Sequence, residues 1–506
     1  GGGSARPPAR SRGLGRVHST VGIQAVPCSR EACDSLGTLI RRAGEPAGAV
    51  RVHRNPSLTR CFLVARSLMT SSWFRLLVFV VWGGLLVGLG GCASSNQTDE
   101  GREDESTPSS SQTAGPDLAL PAQTIRTIQL YPADDERRLP ITSLRNGPQL
   151  TLEFDLMEAQ GRPLTVRFLH ANRHWEEDLS PSRALESYTD DALVEYQSSR
   201  GTQVDYTHYT YRFPNDDIRF RTSGNYVLQV TERGRRDSVL FEQPFFVTEG
   251  EGTLDARLES FPVPGQQHPS RRPLAQFDPP ASLQGDPFGY TACFVRNGRL
   301  SDVRCEDRPR LASQPRLEFE VDRRRAFAPV TADYTVDLGT LQGGGRIERT
   351  DRTSTPFRVL LEPDYARFSG GRPDAMLNGQ IVVRDVVTGR ANPALTAEYV
   401  QTTFAFVPPN EQPVPRGLTV AGSFSEMNPA RGAEMRWVAG RGRYEAEVLL
   451  KQGQYQYFYA SEDAELTEEL RRMQSLRRDN VYTTFVYYED PSRGTDRLLQ
   501  VGSLQQ

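Results

Sequence analysis

Residues 164–250 decide the fold and read LTVRFLHANRHWEEDL (164–179), VEYQSSRGTQVDYTHYTYRFPND (194–216) and RTSGNYVLQVTERGRRDSVLFEQPFFVTEG (221–250). Aromatic or β-branched residues alternate with polar ones in short runs, which is typical of strands with one buried face. Pro214-Asn215 and Ser223-Gly224-Asn225 interrupt these runs and predict tight turns between antiparallel strands. Together with strand-like runs upstream, the pattern predicts a two-sheet β-sandwich over residues 122–250.

A series of short motifs runs through this predicted domain. They are Leu152-Glu153-Phe154-Asp155, His170 with Trp175, Tyr196-Gln197-Ser198, Tyr206-Thr207-His208-Tyr209, Phe213-Pro214-Asn215 and Ser223-Gly224-Asn225-Tyr226. In combination they resemble the N-terminal domain of the plug protein of the bacterial type IX secretion system. Further motifs similar to that family, such as Asn378-Gly379 and Asn480-Val481-Tyr482-Thr483, extend the resemblance to about residue 500.

The resemblance implies a non-enzymatic interaction protein. A member of this family is expected to dock on the periplasmic mouth of the outer-membrane translocon β-barrel and to seal it when no cargo passes. Neither a cofactor nor a small-molecule substrate is implied. Because Trp and Tyr dominate interface energetics, Trp175, Tyr188 and Tyr209 are candidate contacts with the barrel. Packing in the core is the alternative role for each of them.

Length and charge narrow the class of protein. A chain of 506 residues is too long for one core and should divide into several domains. From Cys92 onward it carries 48 basic and 60 acidic residues, and this acidic balance argues against a nucleic-acid binder, which needs a basic face. Lys451 is the only lysine, so nearly all the positive charge is arginine, which we interpret as a coding bias.

The N-terminal region predicts export with a lipid anchor. Residues 1–68 carry eleven Arg and three acidic residues without periodicity, and are either sequence upstream of the true start or a basic targeting arm. Residues 69–91 have the proportions of a signal peptide, with one arginine and an apolar run too short to span a bilayer as a helix. Leu89-Gly90-Gly91-Cys92 resembles the bacterial lipobox, which implies lipidation of the Cys92 thiol.

The segment after Cys92 predicts a tether and a location. Residues 92–121 are rich in Ser, Thr, Gln, Asp, Glu, Gly and Pro, which cannot bury enough apolar surface to fold. Ala93 and Ser94 lack the aspartate that usually retains lipoproteins in the inner membrane. By resemblance, the protein is expected on the periplasmic face of the outer membrane.

The rest of the chain predicts two further β domains. A Pro-, Gln- and Ser-rich stretch over 253–280 is interpreted as a domain link. The predicted domains are a middle one at 285–407 and a C-terminal one at 416–500 that resembles an immunoglobulin-like early-set module. The whole is expected to be all-β, as tandem immunoglobulin-like or fibronectin type III-like sandwiches.

Two cysteines in the middle domain are candidates for a disulfide. Cys293 and Cys305 flank Asn297-Gly298, and an exported chain meets an oxidising compartment. A simple hairpin centred on Asn297-Gly298 does not place them opposite each other, because their midpoint is Arg299. The sequence therefore leaves the bond open.

No pattern in the sequence favours catalysis or metal binding. His170 and His174 would share a face only on a helix, whereas their surroundings alternate as a strand does, so a zinc pair is not expected. Asp155, Glu176 and Glu177 are not accompanied by a nucleophile or a phosphate-binding loop. We expect no enzyme and no metal site.

The C-terminal domain supports a second hypothesis. Modules similar to it bind sugars by stacking tryptophans on the apolar face of the ring. Trp437 is the only tryptophan in this domain, and Met427 and Asn428 stand where such modules normally carry another. The alternative function is therefore an outer-membrane lipoprotein that binds carbohydrate through Trp437.

Overall fold

The computed structural model describes residues 115–264, 269–312, 315–328, 333–366, 377–387, 392–408, 411–472 and 480–505. Strands dominate these ranges, which confirms the predicted all-β class. Residues 1–68, the predicted signal peptide at 69–91 and Cys92 lie outside the described ranges. Within those ranges, no helix has the length and apolar character needed to cross a membrane.

The first unit is a sandwich of two antiparallel-rich sheets. One sheet has the order β1-β3-β8-β7, and the other has the order β2-β10-β9-β4, with β5 and β6 both paired to β4. The strands are β1 (Ile125–Pro132), β2 (Ile141–Ser143), β3 (Leu150–Leu156), β4 (Leu164–Ala171), β5 (Glu177–Leu179), β6 (Asp190–Leu193), β7 (Tyr196–Ser198), β8 (Thr207–Phe213), β9 (Gly224–Glu232) and β10 (Arg235–Thr248).

Alternation of residue types puts one face of each sheet into a common core. Phe154 on β3 stacks on Tyr209 of β8 with ring centroids 4.9 Å apart and meets Phe241 of the opposite sheet edge-on. Phe168 on β4 packs against Phe213 at 5.0 Å. These aromatic pairs join the two sheets, so the core of this unit is built from the strands that the sequence indicated.

The second unit is a sandwich made from two distant parts of the chain. Its sheets have the orders β11-β12-β16-β15 and β14-β13-β27-β28 and share one core. The strands are β11 (Thr253–Phe261), β12 (Ser270–Asp278), β13 (Tyr290–Arg296), β14 (Arg304–Glu306), β15 (Arg310–Leu311), β16 (Leu317–Glu320), β27 (Val481–Asp490) and β28 (Thr495–Gln505).

The third unit lies between the two parts of the second in the chain. Its ten strands form one sheet: eight follow the order β17-β26-β23-β24-β25-β22-β19-β18, and the other two, β20 and β21, pair with β22 and β26. The strands are β17 (Tyr334–Asp337), β18 (Ile347–Asp351), β19 (Phe357–Leu361), β20 (Asp364–Tyr365), β21 (Val382–Val383), β22 (Tyr399–Val407), β23 (Leu418–Gly422), β24 (Ala433–Val438), β25 (Arg443–Lys451) and β26 (Gly453–Ser461).

Helices are short in the described ranges. The α-helices are α1 (Pro181–Ala184), α2 (Pro393–Thr396) and α3 (Ala464–Arg472). Single 3-10 turns occupy Ala281–Leu283, Pro287–Gly289, Arg323–Arg325, Ser423–Ser425, Pro429–Arg431 and Ala439–Arg441. Both α1 and α2 begin with proline at the first helical positions, where its missing N–H costs nothing.

The strand pairing changes the predicted organisation after residue 250. The interpretation of 253–280 as a link was wrong, because β11 and β12 form a nine-pair antiparallel hairpin there. The ranges 285–407 and 416–500 do not correspond to separate sheets. Tyr334–Asp337 pairs with β26, and Tyr290–Arg296 pairs with β27.

Cys293 and Cys305 form a disulfide and lie directly opposite each other on β13 and β14. The sequence left this bond open because a hairpin centred on Asn297-Gly298 would not align the two cysteines. The connection is not a two-residue turn at Asn297-Gly298 but the longer loop 297–303, which is centred near Arg299. Backbone hydrogen bonds from Arg299 N to Arg296 O and from Asp302 N to Arg299 O shape that loop.

Candidate functional site

The three predicted contact residues have different environments. Tyr188 is 66% exposed, in agreement with a contact role. Tyr209 is fully buried between Phe154 and Tyr196 and cannot meet a partner, so it belongs to the core. Trp175 is partly buried and packs edge-on against Phe246 at 5.5 Å, which is chiefly a structural position.

One segment of the first unit carries two exposed apolar side chains. The segment 186–198 leaves one sheet at β6 and joins the other at β7, and it carries Tyr188 and Val194, which are 66% and 60% exposed. Acidic side chains at 190, 191 and 195 lie on the same segment. Ion pairs with Arg236 and Arg212 hold two of them. This segment, called the crossing segment below, is the best-exposed candidate contact surface of the first unit.

The two candidate histidine ligands serve structure. His170 is fully buried, with Nδ1 2.6 Å from Asp178 Oδ1 and Nε2 3.1 Å from the Ser223 carbonyl oxygen. His174 is exposed, so the two rings do not converge on one site. Among the described residues no cluster of His, Cys, Asp or Glu has the geometry to hold a metal ion.

The first unit carries a carboxylate whose partners lie far along the chain. Asp155 on β3 is completely buried, and its Oδ2 accepts hydrogen bonds from Lys451 Nζ and from Tyr399 OH, both at 2.6 Å. Its Oδ1 is 2.8 Å from His208 Nδ1 of β8. Lys451 and Tyr399 belong to the third unit, so this cluster, called the ionic centre below, joins the two units.

Neighbouring groups complete the hydrogen bonds of the ionic centre. Lys451 Nζ also donates to the Ala394 carbonyl at 2.7 Å and lies 4.2 Å from the centre of the Tyr206 ring. Tyr206 OH in turn lies within hydrogen-bonding distance of the carbonyl of Ala394 in α2 and that of Ala397, directly after it. A buried charge is tolerated when it is paired and hydrogen-bonded, and Lys451 has a carboxylate, a carbonyl and an aromatic face as partners.

The electrostatics favour the charged forms of the acid and the imidazole. Burial by itself raises the pKa of Asp155, but the Lys451 charge and the His208 hydrogen bond outweigh it and leave that pKa lowered. Burial lowers the pKa of His208, yet the hydrogen bond to Asp155 and the nearby carboxylate of Glu153 prevail, and the net pKa is raised. The arrangement binds two units together and leaves no open position for a substrate at these oxygens.

A second set of charges joins the first unit to β28 of the second. Arg497 donates from Nε and Nη2 to both oxygens of Glu249, at 2.8 and 2.5 Å. Arg173 forms an ion pair with Asp496. Bidentate pairing between a guanidinium and a carboxylate fixes orientation as well as distance. The first unit is therefore held by charged contacts to both of the other units.

The ionic centre is not apparent from the sequence. Asp155 lay inside a motif, and Lys451 stood out only as the single lysine of the chain. The available signal for the ionic centre was that the single lysine of the chain lies in a strand, whereas arginine supplies the other positive charges. Nothing local linked it to an acid 296 residues away.

Trp437, on which the carbohydrate alternative depends, lies on β24 and packs against Tyr444 of β25 with ring centroids 5.1 Å apart. It is partly buried and lines the core of the third unit. Met427 is buried as well. The arrangement does not present an open aromatic platform for a sugar ring.

A comparison with solved structures finds the same fold in a crystal structure of a hypothetical protein from Parabacteroides merdae. The two sequences are 22% identical, and the TM-score is 0.68. The matched region includes 78% of this chain and the whole of the Parabacteroides chain. Partial matches to an enterococcal surface protein, with 8% identity and a TM-score of 0.15, and to a biofilm-associated protein, with 8% identity and a TM-score of 0.16, support no conclusion. The match to the enterococcal protein includes 81% of this chain and 97% of that protein's chain. The match to the biofilm-associated protein includes 76% of this chain and 59% of that protein's chain. No curated protein matches the chain.

The family comparison concerns the first unit. Residues 125–249 match the model of the type 9 secretion system plug protein first domain. The matched range begins at the first residue of β1 and ends one residue after β10, so it coincides with the first sandwich. This match supports the type IX secretion system plug family, as the motifs of the first unit predicted.

Proposed function

We propose that this chain, a component of the type IX secretion system, binds the periplasmic mouth of the outer-membrane translocon β-barrel and closes it when no cargo passes. One observation carries the proposal: the plug-family domain is fixed to the other two units by buried or bidentate charge pairs at two separate places. A protein that closes a channel must resist deformation. Such charge pairs fix the orientation of the domain relative to the second and third units.

The crossing segment is the surface we assign to the barrel. Tyr188 and Val194 are the large apolar side chains that the domain 125–249 leaves well exposed. The domain contacts the second unit through Glu249 and the third unit through Asp155, and neither residue belongs to the crossing segment. The crossing segment therefore remains available for an external partner.

Association with the translocon is the direct test. The barrel is purified from detergent-solubilised outer membranes of cells that express this chain, and the preparation is analysed by mass spectrometry. The chain is expected in stoichiometric amount. A translocon isolated without it, from cells in which it is abundant, would overturn the proposal.

We further propose that Cys92 carries the lipid that anchors the protein at the periplasmic face of the outer membrane. The lipobox-like Leu89-Gly90-Gly91-Cys92 supports this assignment. Mass spectrometry of the mature N-terminus is expected to find a diacylated Cys92. A mature chain that starts elsewhere, without lipid, would contradict it.

A further inference from the structure

β11 (Thr253–Phe261) lies at the end of one sheet of the second unit. Among the described strands, β12 is the one that pairs with it, over nine consecutive residue pairs without a bulge. The strand at the opposite end of this sheet, β15, has only two residues. Proteins usually shorten, bend or cover their edge strands, because a long flat edge is a template for pairing with another chain. β11 keeps such an edge.

The outer side of β11 presents backbone hydrogen-bonding groups. Arg271 of β12 exchanges backbone hydrogen bonds with Phe327, on the side of β12 away from β11. Its neighbour on β11, Ser260, therefore points its own N–H and C=O away from β12. Backbone direction alternates along a strand, so Leu254, Ala256 and Leu258 point outward as well. No backbone group elsewhere in the described residues pairs with these four.

The inner face of β11 is incompletely covered. Leu254 and Leu258 pack against the core of the second unit but are partly exposed, whereas Phe277, opposite Leu254 on β12, is fully buried. Ala256 is also partly exposed, whereas Ala275 opposite it is 1% exposed. A strand added to the outer side of β11 would extend the sheet and remove these apolar side chains from water.

The sequence of β11 is complementary to itself. When two copies are placed antiparallel about Ala256, Asp255 of each copy lies opposite Arg257 of the other, and Leu254 lies opposite Leu258. The outward-pointing residues then exchange about six backbone hydrogen bonds. Asp255 and Arg257 occupy the pairs between them, where opposed side chains are closest. Both are exposed, and neither forms an ion pair within the described part of the chain.

An antiparallel register centred on Leu258 fits less well. It would place Arg257 opposite Glu259, but the Glu259 carboxylate already pairs with two arginines of its own chain. It would also place Pro262 opposite Leu254. Because proline has no N–H, that pair would lose a hydrogen bond. Charge and hydrogen bonding therefore both favour the register centred on Ala256.

We propose that β11 is a self-association surface, at which a second copy of this chain pairs antiparallel about Ala256. The pairing joins two four-stranded sheets into one continuous sheet. One strand pair is a small interface, so the dimer forms reversibly. β11 belongs to the second unit and the crossing segment to the first, so the inference does not depend on the proposed contact with the barrel.

Sedimentation velocity of the purified full chain tests the proposal, at concentrations up to about 100 μM. The wild type is expected to show an equilibrium between monomer and dimer. Asp255→Arg brings two positive charges together at each ion-pair position, and Arg257→Asp brings two negative charges together. Each should raise the dissociation constant of the dimer by about tenfold or more, because like charges directly opposite each other destabilise strand pairing. Asp237→Arg, the same change at an exposed strand residue of the first unit, is the matched control and should have no effect.

A mixture of the two single variants shows whether β11 pairs with itself. In a mixed dimer of the Asp255→Arg and Arg257→Asp chains, both positions again bring opposite charges together. The mixture should therefore dimerise about as well as the wild type, although neither variant does so alone. The chain with both substitutions should dimerise by itself for the same reason.

Three results would overturn the proposal. A monomeric wild type would leave β11 as an edge for a different partner. An unchanged dimer with Asp255→Arg would show that the copies associate elsewhere or in another register. A mixture that stays monomeric, although both variants keep the melting temperature of the wild type, would exclude the pairing of Asp255 with Arg257.

Discussion

Lys451 and Asp155 are 296 residues apart in the chain, yet Lys451 Nζ and Asp155 Oδ2 lie 2.6 Å apart, and both side chains are almost completely buried. One belongs to the plug-family domain and the other to the third unit. His208 of the first unit and Lys451 of the third unit both compensate this buried carboxylate, so the stability of the first unit depends in part on the third.

Removing the lysine should destabilise the protein strongly. We expect Lys451→Met to lower the free energy of unfolding by about 3–5 kcal/mol, since Asp155 is then left buried with a reduced set of partners. Urea denaturation measures the change. The double variant Asp155→Asn with Lys451→Met should recover much of the loss.

An exposed ion pair provides the matched control for that experiment. Arg138 and Asp134 lie 2.8 Å apart, but their side chains are 53% and 60% exposed. Arg138→Met should change the free energy of unfolding by less than about 1 kcal/mol. If Lys451→Met and Arg138→Met change the free energy of unfolding equally, the ionic centre has no special structural role.

His208 should make the stability depend on pH. Its pKa is raised in the folded state, so its contribution is fully present below the unfolded pKa of about 6.5 and is lost as the pH rises through the folded value. His208→Gln should therefore cost more free energy of unfolding at pH 6 than at pH 9. Denaturation at the two pH values checks this, and a cost that does not change with pH would contradict it.

Gly224 is expected to tolerate no side chain. Its φ is +147°, and a Cβ at this position would lie 2.5 Å from His170 Nε2. Gly224→Ala should lower the free energy of unfolding by about 1–3 kcal/mol because of strain and the displaced ring. Gly285→Ala is the control, since a Cβ there meets nothing within 4 Å. Similar melting temperatures for the two variants would count against this account of the turn.

The Cys293–Cys305 disulfide should stabilise the second unit. Joining residues twelve apart restricts the unfolded chain, and replacing both cysteines by serine should cost about 3 kcal/mol. Thermal unfolding with and without a reducing agent provides the measurement. If reduction lowers the melting temperature of the wild type no more than that of the double serine variant, the bond is not formed in the mature protein.

The crossing segment yields a prediction about the partner. Tyr188→Arg should leave the melting temperature unchanged, because the side chain is 66% exposed, and should reduce co-purification with the translocon several-fold. Tyr365→Arg, at a 49% exposed tyrosine of the third unit, is the control. Loss of co-purification with both variants, or with neither, would mean that the surface is assigned incorrectly.

The sequence predicted the first unit well because its signals are local. Alternation along β3, β4 and β8 and the turn residues after Phe213 and before Asn225 suffice to mark the strands. Local signals could not tell which candidate contact residues are exposed and which are buried. Tyr188 and Tyr209 look alike in sequence, and only the pairing of β8 with β3 places Tyr209 in the core.

The remaining organisation depends on contacts between distant residues. The 253–280 stretch looks like a link because of its Pro, Gln and Ser content, yet Leu254 and Leu258 of β11 pack against the core of the second unit. No local sequence pattern indicates that β27 pairs with β13, so the insertion of the third unit between the two parts of the second was not predicted. For the same reason, the sequence did not indicate that Lys451 is the partner of Asp155.

Permeability of the outer membrane tests the central claim most directly. Uptake of a large polar antibiotic is measured in cells with and without this chain, in backgrounds that contain or lack the translocon barrel. If the chain closes the barrel, its loss should raise uptake only where the barrel is present. Unchanged uptake in barrel-containing cells that lack the chain would contradict the account.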